Sequence, residues 1–470
     1  MRSILKVRAG SNVVGRHFNH RRALTLWALA AGMWAFFPCV SMGQKYLKLL
    51  FVGDLMQHQR QIDVARTPEG RYDYSPCFRL VYDEIAAADI AIGNLEVTLG
   101  GRPYRGFPAF SAPDDYLNAI RDAGFDVLLT GNNHCLDRGR RGLERTIHLL
   151  DSLRIPRAGT YVDSLDRSRH YPLFLKKNGF LIAILSYTYD TNGLRPTGTN
   201  IVNYIDREQI SRDILGAKAR RPDAIIACMH WGNEYQSLPS REQRRLADWL
   251  LTQGVTHIIG SHPHVIQPME VRSDGRRQHV VVYSLGNFIS NMSRPGTDGG
   301  LLFTLTLAKD TLPLSTTFPR YLAPSSLCLS PCRLPMASGI VLSSPCGQDS
   351  LVLGDFSRSA LMATTDASAV SVGRREDIGA GSAMSVGAEE WSPERLVTSV
   401  VVHCGYRLVW TASPSHNSTR NFVVTPVDAT LDGLTPNGVA LLNYFAAESR
   451  KLMSEHYGGI DELPPVVAPH

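Results

Sequence analysis

The feature that most constrains the fold is an alternation, from Lys45 to about Ala308, of short apolar runs with amphipathic stretches. Runs of strand length separated by helix-length amphipathic segments specify an α/β sheet. The runs predict strands at Tyr46–Val52, Asp89–Gly93, Asp126–Thr130, Phe180–Tyr187, Ala224–Met229, Thr256–Ile259 and Val280–Ser284. Helices are predicted over Asp114–Ala123, Gly139–Leu153 and Ser240–Gln253; in the last, Ser240 and Gln243 have capping-box spacing, and Leu246, Trp249 and Leu250 supply an apolar face. Regular strand signals return at Leu396–Val402, Tyr406–Thr411 and Asn421–Thr425. The domain is therefore expected to span 45–309 and to be completed by strands and a tail in 395–470. Residues 310–394, rich in Ser, Pro, Ala and Gly with little periodicity, read as a low-complexity, disordered insertion.

The amino terminus reads as a targeting segment. A basic stretch ending in Arg21-Arg22 runs into an apolar segment from Ala23 to Val40, followed by small residues at Ser41 and Gly43. That order fits a signal peptide cleaved before Gln44, or else an uncleaved membrane anchor. Either places the body of the protein outside the cytoplasm, in the periplasm or at the cell surface. Residues 1–43 hold Arg2, Lys6, Arg8, Arg16, Arg21 and Arg22 and no acidic residue, so the formal net charge of +6 belongs to the leader. The remainder carries 43 basic and 43 acidic residues and gives no electrostatic reason to expect nucleic-acid binding. Beyond the leader lie Cys77, Cys135, Cys228, Cys328, Cys332, Cys346 and Cys404, an odd and scattered set that is no disulfide framework. Cys135 and Cys228 read as small packing residues. Asn417-Ser-Thr419 has the form of a glycosylation acceptor, a tripeptide that arises often by chance.

Chemistry concentrates where the apolar runs end. Gly53-Asp54 follows the first, Gly93-Asn94-Leu95-Glu96 the second, and Asn132-Asn133-His134-Cys-Leu-Asp137 the third. Later runs lead into His230-Trp-Gly-Asn-Glu234, into Gly260-Ser-His262-Pro-His264, and into Gly286-Asn287. Carboxyl ends of strands are where open α/β sheets bind ligands. A donor set of carboxylate, amide oxygen and imidazole suits one or two divalent ions of the Mn, Zn, Fe or Co type. The expected ligands are Asp54, Glu96, Asn133, His230, His262 and His264. Glu96 could bridge two ions and hold a hydroxide for in-line attack, while His134 and Asp137 form an acid or an orienting pair. Glu234 and Tyr235 are candidates for substrate positioning or, for Glu234, a base; Asn287 is either a site-facing amide or a turn residue.

Taken in order, Gly53-Asp54, Asn94-x-Glu96, Asn132-Asn133-His134-x-x-Asp137-x-Gly139, His230-Trp-Gly-x-Glu234-Tyr235, Gly260-Ser-His262-Pro-His264 and Ser284-x-Gly-Asn287-Phe288 resemble the bacterial CapA family. These are capsule-synthesis, or poly-gamma-glutamate biosynthesis, proteins related to calcineurin-like metallophosphoesterases. The resemblance runs from about Leu47 to Phe303. It implies a four-layer α/β/β/α metallophosphatase-like sandwich and an extracytoplasmic placement. It further implies that Asp54 is the first-block aspartate, Glu96 the bridging carboxylate, Asn133 the third-block amide, and His230, His262 and His264 the last three ligands. The related phosphoesterases have Asp-x-His in the first block, and here the histidine position is Met56; His58 lies two residues out of place. Three readings of function follow. One is a metal-dependent hydrolase using metal-activated water on a phosphoester or amide-linked polymer. Another is a non-catalytic accessory to synthesis or export of an anionic capsule polymer, working with membrane-bound machinery. A degenerate binding module is the third.

Overall fold

The structure, a computed structural model, describes residues 44–275, 277–310, 399–430 and 432–465. The expected leader at 1–43 and insertion at 310–394 lie outside the described residues, save for Asp310 at the end of a strand. Two sheets dominate. The first runs in the order β16 (Val423–Pro426), β15 (Val400–Ala412), β14 (Gly299–Asp310), β1 (Gln44–Leu55), β2 (Ile90–Leu95), β3 (Val127–Leu129) and β4 (Arg157–Ala158). Short strands β13 (Asn287–Ile289) and β17 (Asp461–Glu462) pair with β1 and β15. The second sheet runs β11 (Ile266–Ser273), β12 (Gln278–Leu285), β10 (His257–Ser261), β9 (Ala224–His230), β7 (Phe180–Thr188) and β6 (Leu173–Lys177). A two-stranded ribbon joins β5 (Thr160–Tyr161) to β8 (Ile201–Val202).

Side-chain alternation shows why the sheets face each other. Along β1, Leu47, Leu49 and Phe51 enter a core shared with Ile182, Ile184, Ile226, Ile258 and Val281 of the second sheet. The intervening Leu50 and Val52 join Phe78, Ile85, Tyr116, Ile120 and Leu150, which come from helical segments on the other face. Strands β14 and β15 divide the same way: Phe303, Leu305, Leu408 and Trp410 go inward, Leu302 and Val409 outward. Burial on both faces makes these strands near-continuous apolar runs. Helices Arg207–Ala219 and Arg241–Thr252 add Ile210, Ile214, Ala247 and Leu250 on the second sheet's side, completing the α/β/β/α layers.

The two halves of the chain meet directly. Strands β14 and β15 are antiparallel neighbours, with Phe303 opposite Tyr406, so the segment between them leaves and re-enters at adjacent strands. Leu396–Val402 and Tyr406–Thr411 are not two strands. From Val400 to Ala412 the chain is one strand, because His403, Cys404 and Gly405 keep pairing with Thr306, Leu305 and Thr304. The expected tail contains a helix, Pro436–Glu455, whose Leu442, Phe445, Ala446 and Met453 pack into the inter-sheet cluster. Its signal was Thr435-Pro436, a side-chain cap followed by a proline at the first helical position. Asn417 is structural: its Nδ2 donates to the carbonyls of Ala412, Ser413 and Asn421 at 3.0, 2.9 and 3.3 Å, leaving no amide free for a glycan. Among the described residues no helix is long and apolar enough to cross a membrane.

The helix Arg241–Thr252 begins with the expected capping box. Ser240 Oγ accepts from Gln243 N–H at 3.1 Å, and Gln243 Oε1 accepts from Ser240 N–H at 2.8 Å. Ser240→Ala is expected to cost about 1 kcal/mol in urea unfolding, without change in metal content; an unchanged midpoint would deny the cap its role.

Candidate metal centre

Neighbouring strand ends of both sheets converge on one buried cluster of donors. Asp54, near the end of β1, is level with Asn94 on one side and Asn287 on the other. Asn94 Nδ2 donates to Asp54 Oδ1 at 2.7 Å and more weakly to Glu96 Oε2 at 3.4 Å, so one amide orients both carboxylates. Across the inter-sheet space, His230 ends β9 in register with Ser261, the last residue of β10. His262 and His264 follow on the next turn, both with left-handed backbone, φ 99° and 59°. Such φ values are costly for residues with a Cβ, and are retained where surroundings fix a side chain for use.

Glu96 Oε1 is the focus. It is fully buried and has no hydrogen-bond partner. His230 Nε2 stands 3.7 Å from it and His264 Nε2 3.8 Å, too far for hydrogen bonds. His230 Nε2 also faces Asn133 Oδ1 at 2.7 Å, while its Nδ1 faces Ser261 Oγ at 3.1 Å. His264 Nδ1 lies 3.2 Å from Asp54 Oδ2 and 3.0 Å from Asn287 Oδ1. His262, 2% exposed, leaves Nδ1 without a partner. Ligand atoms of Glu96, His230 and His262 lie within 4.8 Å of one another, as do those of Asp54, Glu96 and His264. The two groups share Glu96.

The protonation states suit cation binding. Burial holds His230 well below its ordinary pKa and pushes His262 down to about 3, so both are neutral lone-pair donors at neutral pH. Burial also opposes charge on His264, but hydrogen bonding and attraction to Asp54 outweigh it and raise its pKa. Asp54 is held low against its own burial by His264 and Asn94. Burial, then the neighbouring Asp54 charge, drive Glu96 well above the carboxylate range. A fully buried acceptor without a donor, beside a second carboxylate and neutral imidazoles, is an environment that a divalent ion satisfies. The donor set therefore fits a metal.

The structure brings all six expected ligands together. His134 and Asp137 form a separate dyad: Nδ1 lies 2.8 Å from Asp137 Oδ2, which also accepts Phe110 N–H at 2.8 Å. The Phe110 ring contacts His134 edge-on at 4.6 Å. The exposed Glu234 places a carboxylate oxygen within 4.8 Å of ligand atoms of His262 and His264. Met56 does not join the donors; it packs in the apolar cluster beneath the first sheet. His58 accepts Asn291 N–H at 3.2 Å and belongs to none of the ligand groups found among the described residues. Asn287 faces the site, with its Nδ2 anchored to Thr297 O at 2.7 Å. Cys135 and Cys228 are buried packing residues whose thiols burial pushes up to about 12.

Sequence reasoning missed Asn94 as the link between Asp54 and Glu96, Ser261 as the partner of His230, and Tyr189, whose ring lies 4.4 Å from that of His262. The signal for the first two was position, each one or two residues from an expected ligand. Tyr189, beyond the end of β7, carried none. Beside the centre opens a cavity of about 710 Å³ lined by Tyr235, Val265, Arg294, Asp298, His416 and Phe445, one wall of it from β15 and the Pro436–Glu455 helix.

A two-sheet α/β/β/α sandwich with carboxylate, amide and imidazole donors at facing strand ends defines a protein of the metallophosphatase-like class. The sequence profile described as "Bacterial capsule synthesis protein PGA_cap" matches residues 48–292, and the chain belongs to that family. It is 27% identical over 255 residues to the capsule biosynthesis protein CapA of Bacillus anthracis, covering 52% of this chain and 59% of that protein. It is 29% identical over 281 residues to the PGA biosynthesis protein CapA of Bacillus subtilis, covering 56% of this chain and 68% of that one. The chain thus spans about three fifths of the length of the first relative. Among solved structures it is similar to the calcineurin-like phosphoesterase YfkN of Bacillus subtilis, with TM-score 0.37 and 16% identity over 57% of this chain and 87% of that chain. It is likewise similar to the NAD nucleotidase NadN of Haemophilus influenzae, with TM-score 0.37 and 13% identity over 57% and 55% of the two chains.

Proposed function

We propose that this protein is a metal-dependent hydrolase of capsule or poly-gamma-glutamate metabolism, acting outside the cytoplasm on a phosphoester or an amide-linked anionic polymer. The observation that carries the reading is the orphaned Glu96 Oε1, buried among His230, His264 and Asp54. Asp54, Glu96, Asn133, His230, His262 and His264 would hold the metal, of the Mn, Zn, Fe or Co type. When bound, a divalent ion there supplies Lewis-acid polarisation of the scissile group and lowers the pKa of water.

The remaining chemistry belongs to this chain's side chains. His134 gives a proton to the leaving group from Nε2, because Asp137 holds the Nδ1 side of the ring and is itself fixed by Phe110 N–H. Burial of the His230 and His262 rings keeps bulk water from competing at the reacting centre. The basic and apolar leader, followed by small residues, supports export and work alongside membrane-bound capsule machinery.

The test is turnover of the metal-loaded full chain on bis(p-nitrophenyl) phosphate and on poly-gamma-glutamate. Hydrolysis of one of them is expected, and His134→Gln should slow it by about 10²–10⁴-fold with metal content unchanged. If the metal-loaded protein turns over neither, and His230→Ala still restores capsule in a deletion strain, the accessory reading replaces this one.

A further inference from the structure

The two ligand groups that share Glu96 are unequal. Glu96, His230 and His262 have Asn133 Oδ1 beside them, 2.7 Å from His230 Nε2, which makes four donors. Asp54, Glu96 and His264 make three. Divalent ions of this type take at least four ligands, and a site with only three protein donors must draw the rest from solvent or substrate. The side chain placed by sequence to be the fourth, Met56, is turned away into the cluster that contains Tyr116, Phe78 and Phe288.

Another donor stands within reach. Glu234 lies on the loop after β9, and one of its carboxylate oxygens is within 4.8 Å of a ligand nitrogen of His262 and one of His264. The loop is fastened to the histidine turn: Tyr235, itself left-handed at φ 66°, donates its N–H to Pro263 O at 2.8 Å. A main-chain hydrogen bond therefore ties the residue next to Glu234 to the His262-Pro263-His264 turn. On the inner side, the buried Glu96 Oε1 and His262 Nδ1 have no partners, which marks this part of the cluster as a place built for a ligand. Glu234 is exposed, so its carboxylate closes the cluster from the solvent side without the desolvation cost that Asp54 and Glu96 bear.

We propose that Glu234 is the fourth protein ligand of the Asp54–Glu96–His264 half-site, taking the coordination position that Met56 leaves unfilled, so that the centre binds two divalent ions. Replacing a buried imidazole by a solvent-side carboxylate makes that half harder in ligand character and easier to empty than its neighbour. Favouring oxygen-preferring ions follows, Mn²⁺ over Zn²⁺. The inference rests on the metal centre of the proposed hydrolase, but not on its catalysis.

The experiment is Mn²⁺ titration of the full chain followed by elemental analysis, for wild type, Glu234→Gln, His230→Ala and the double variant. Expected contents are two equivalents for wild type, one for each single variant and none retained by the double. The second Kd should weaken by about 10–100-fold in Glu234→Gln. Glutamine preserves shape, and because residue 234 is exposed the variant should unfold at the wild-type midpoint, which excludes misfolding as the cause. Two equivalents retained by Glu234→Gln, with Kd values unchanged, overturn the proposal, as does one equivalent in both wild type and Glu234→Gln. Absence of Mn²⁺ from the wild type overturns the proposal, and failure to bind Zn²⁺, Fe²⁺ and Co²⁺ as well removes the metal centre and the hydrolase reading with it.

Discussion

His230→Ala and His262→Ala are each expected to remove metal from the Glu96–His230–His262 group and to lower turnover by on the order of a thousandfold or more, the scale at which loss of charge stabilisation is felt. The physical reason is that both imidazoles are neutral and buried, so each offers a lone pair that alanine cannot replace. Alanine at 230 also leaves Asn133 Oδ1 and Ser261 Oγ facing a void, adding about 1–3 kcal/mol of instability for each polar group stranded. The loss of metal must therefore be separated from loss of fold. Elemental analysis and urea unfolding on the same preparations do this, with Ser240→Ala as a variant destabilised at a helix cap rather than at a donor. Full metal content in both histidine variants would dissolve the centre as described.

The second large effect is structural. Gly53→Ala places a Cβ 1.8 Å from Gly286 O and 2.9 Å from Gly286 C, both backbone atoms that cannot rotate away. Strand β1 must then shift off the turn at Gly286, breaking the 3.1 Å hydrogen bond from Asp54 N–H to Gly286 O and displacing the Asp54 carboxylate. A cost of more than about 3 kcal/mol is expected, beyond ordinary core overpacking because backbone rather than side chain must yield. Gly216→Ala is the contrast: it lies in the helix Arg207–Ala219 with no atom near its Cβ position, and should be neutral or stabilising by up to about 1 kcal/mol. Equal midpoints for the two variants would show that close approach at Gly53 does not matter.

These two cases also show what could be read in the sequence and what could not. Strand β1 was legible because both its faces are buried, Leu47, Leu49 and Phe51 on one and Leu50 and Val52 on the other, whereas β14 was not predicted, its apolar run being interrupted by Thr304 and Thr306. The cluster of candidate donors was legible because each stands at or just beyond an apolar run, in residue types with few other reasons to be buried. Asn94 was not singled out because an asparagine after glycine reads as a turn, and only the register with Asp54 gives it a partner. The split of the segment from Leu396 to Thr411 into two strands failed at His403-Cys404-Gly405, which continue the pairing with β14. There the glycine admits Leu463 against the strand, its Cβ position being 2.4 Å from Leu463 Cδ2. Strand β11 was missed because Pro268 interrupts it, and it lies at a sheet edge where a missing N–H costs no ladder bond.

The place of β1 within its sheet has a kinetic consequence. It is the first described strand, yet it lies between β2 and β14, with Leu47 opposite Leu307 and Phe51 opposite Phe303. Strand β14 in turn needs β15, which begins at Val400. A ribosome must therefore finish most of the chain before the middle of this sheet can close, and until then β1 has an unpaired edge. Pairings so distant in sequence close slowly, since the loop entropy is lost before the contacts form. Premature termination after Asp310 would release a sheet with β14 as an open edge, a template for aggregation rather than a smaller working protein.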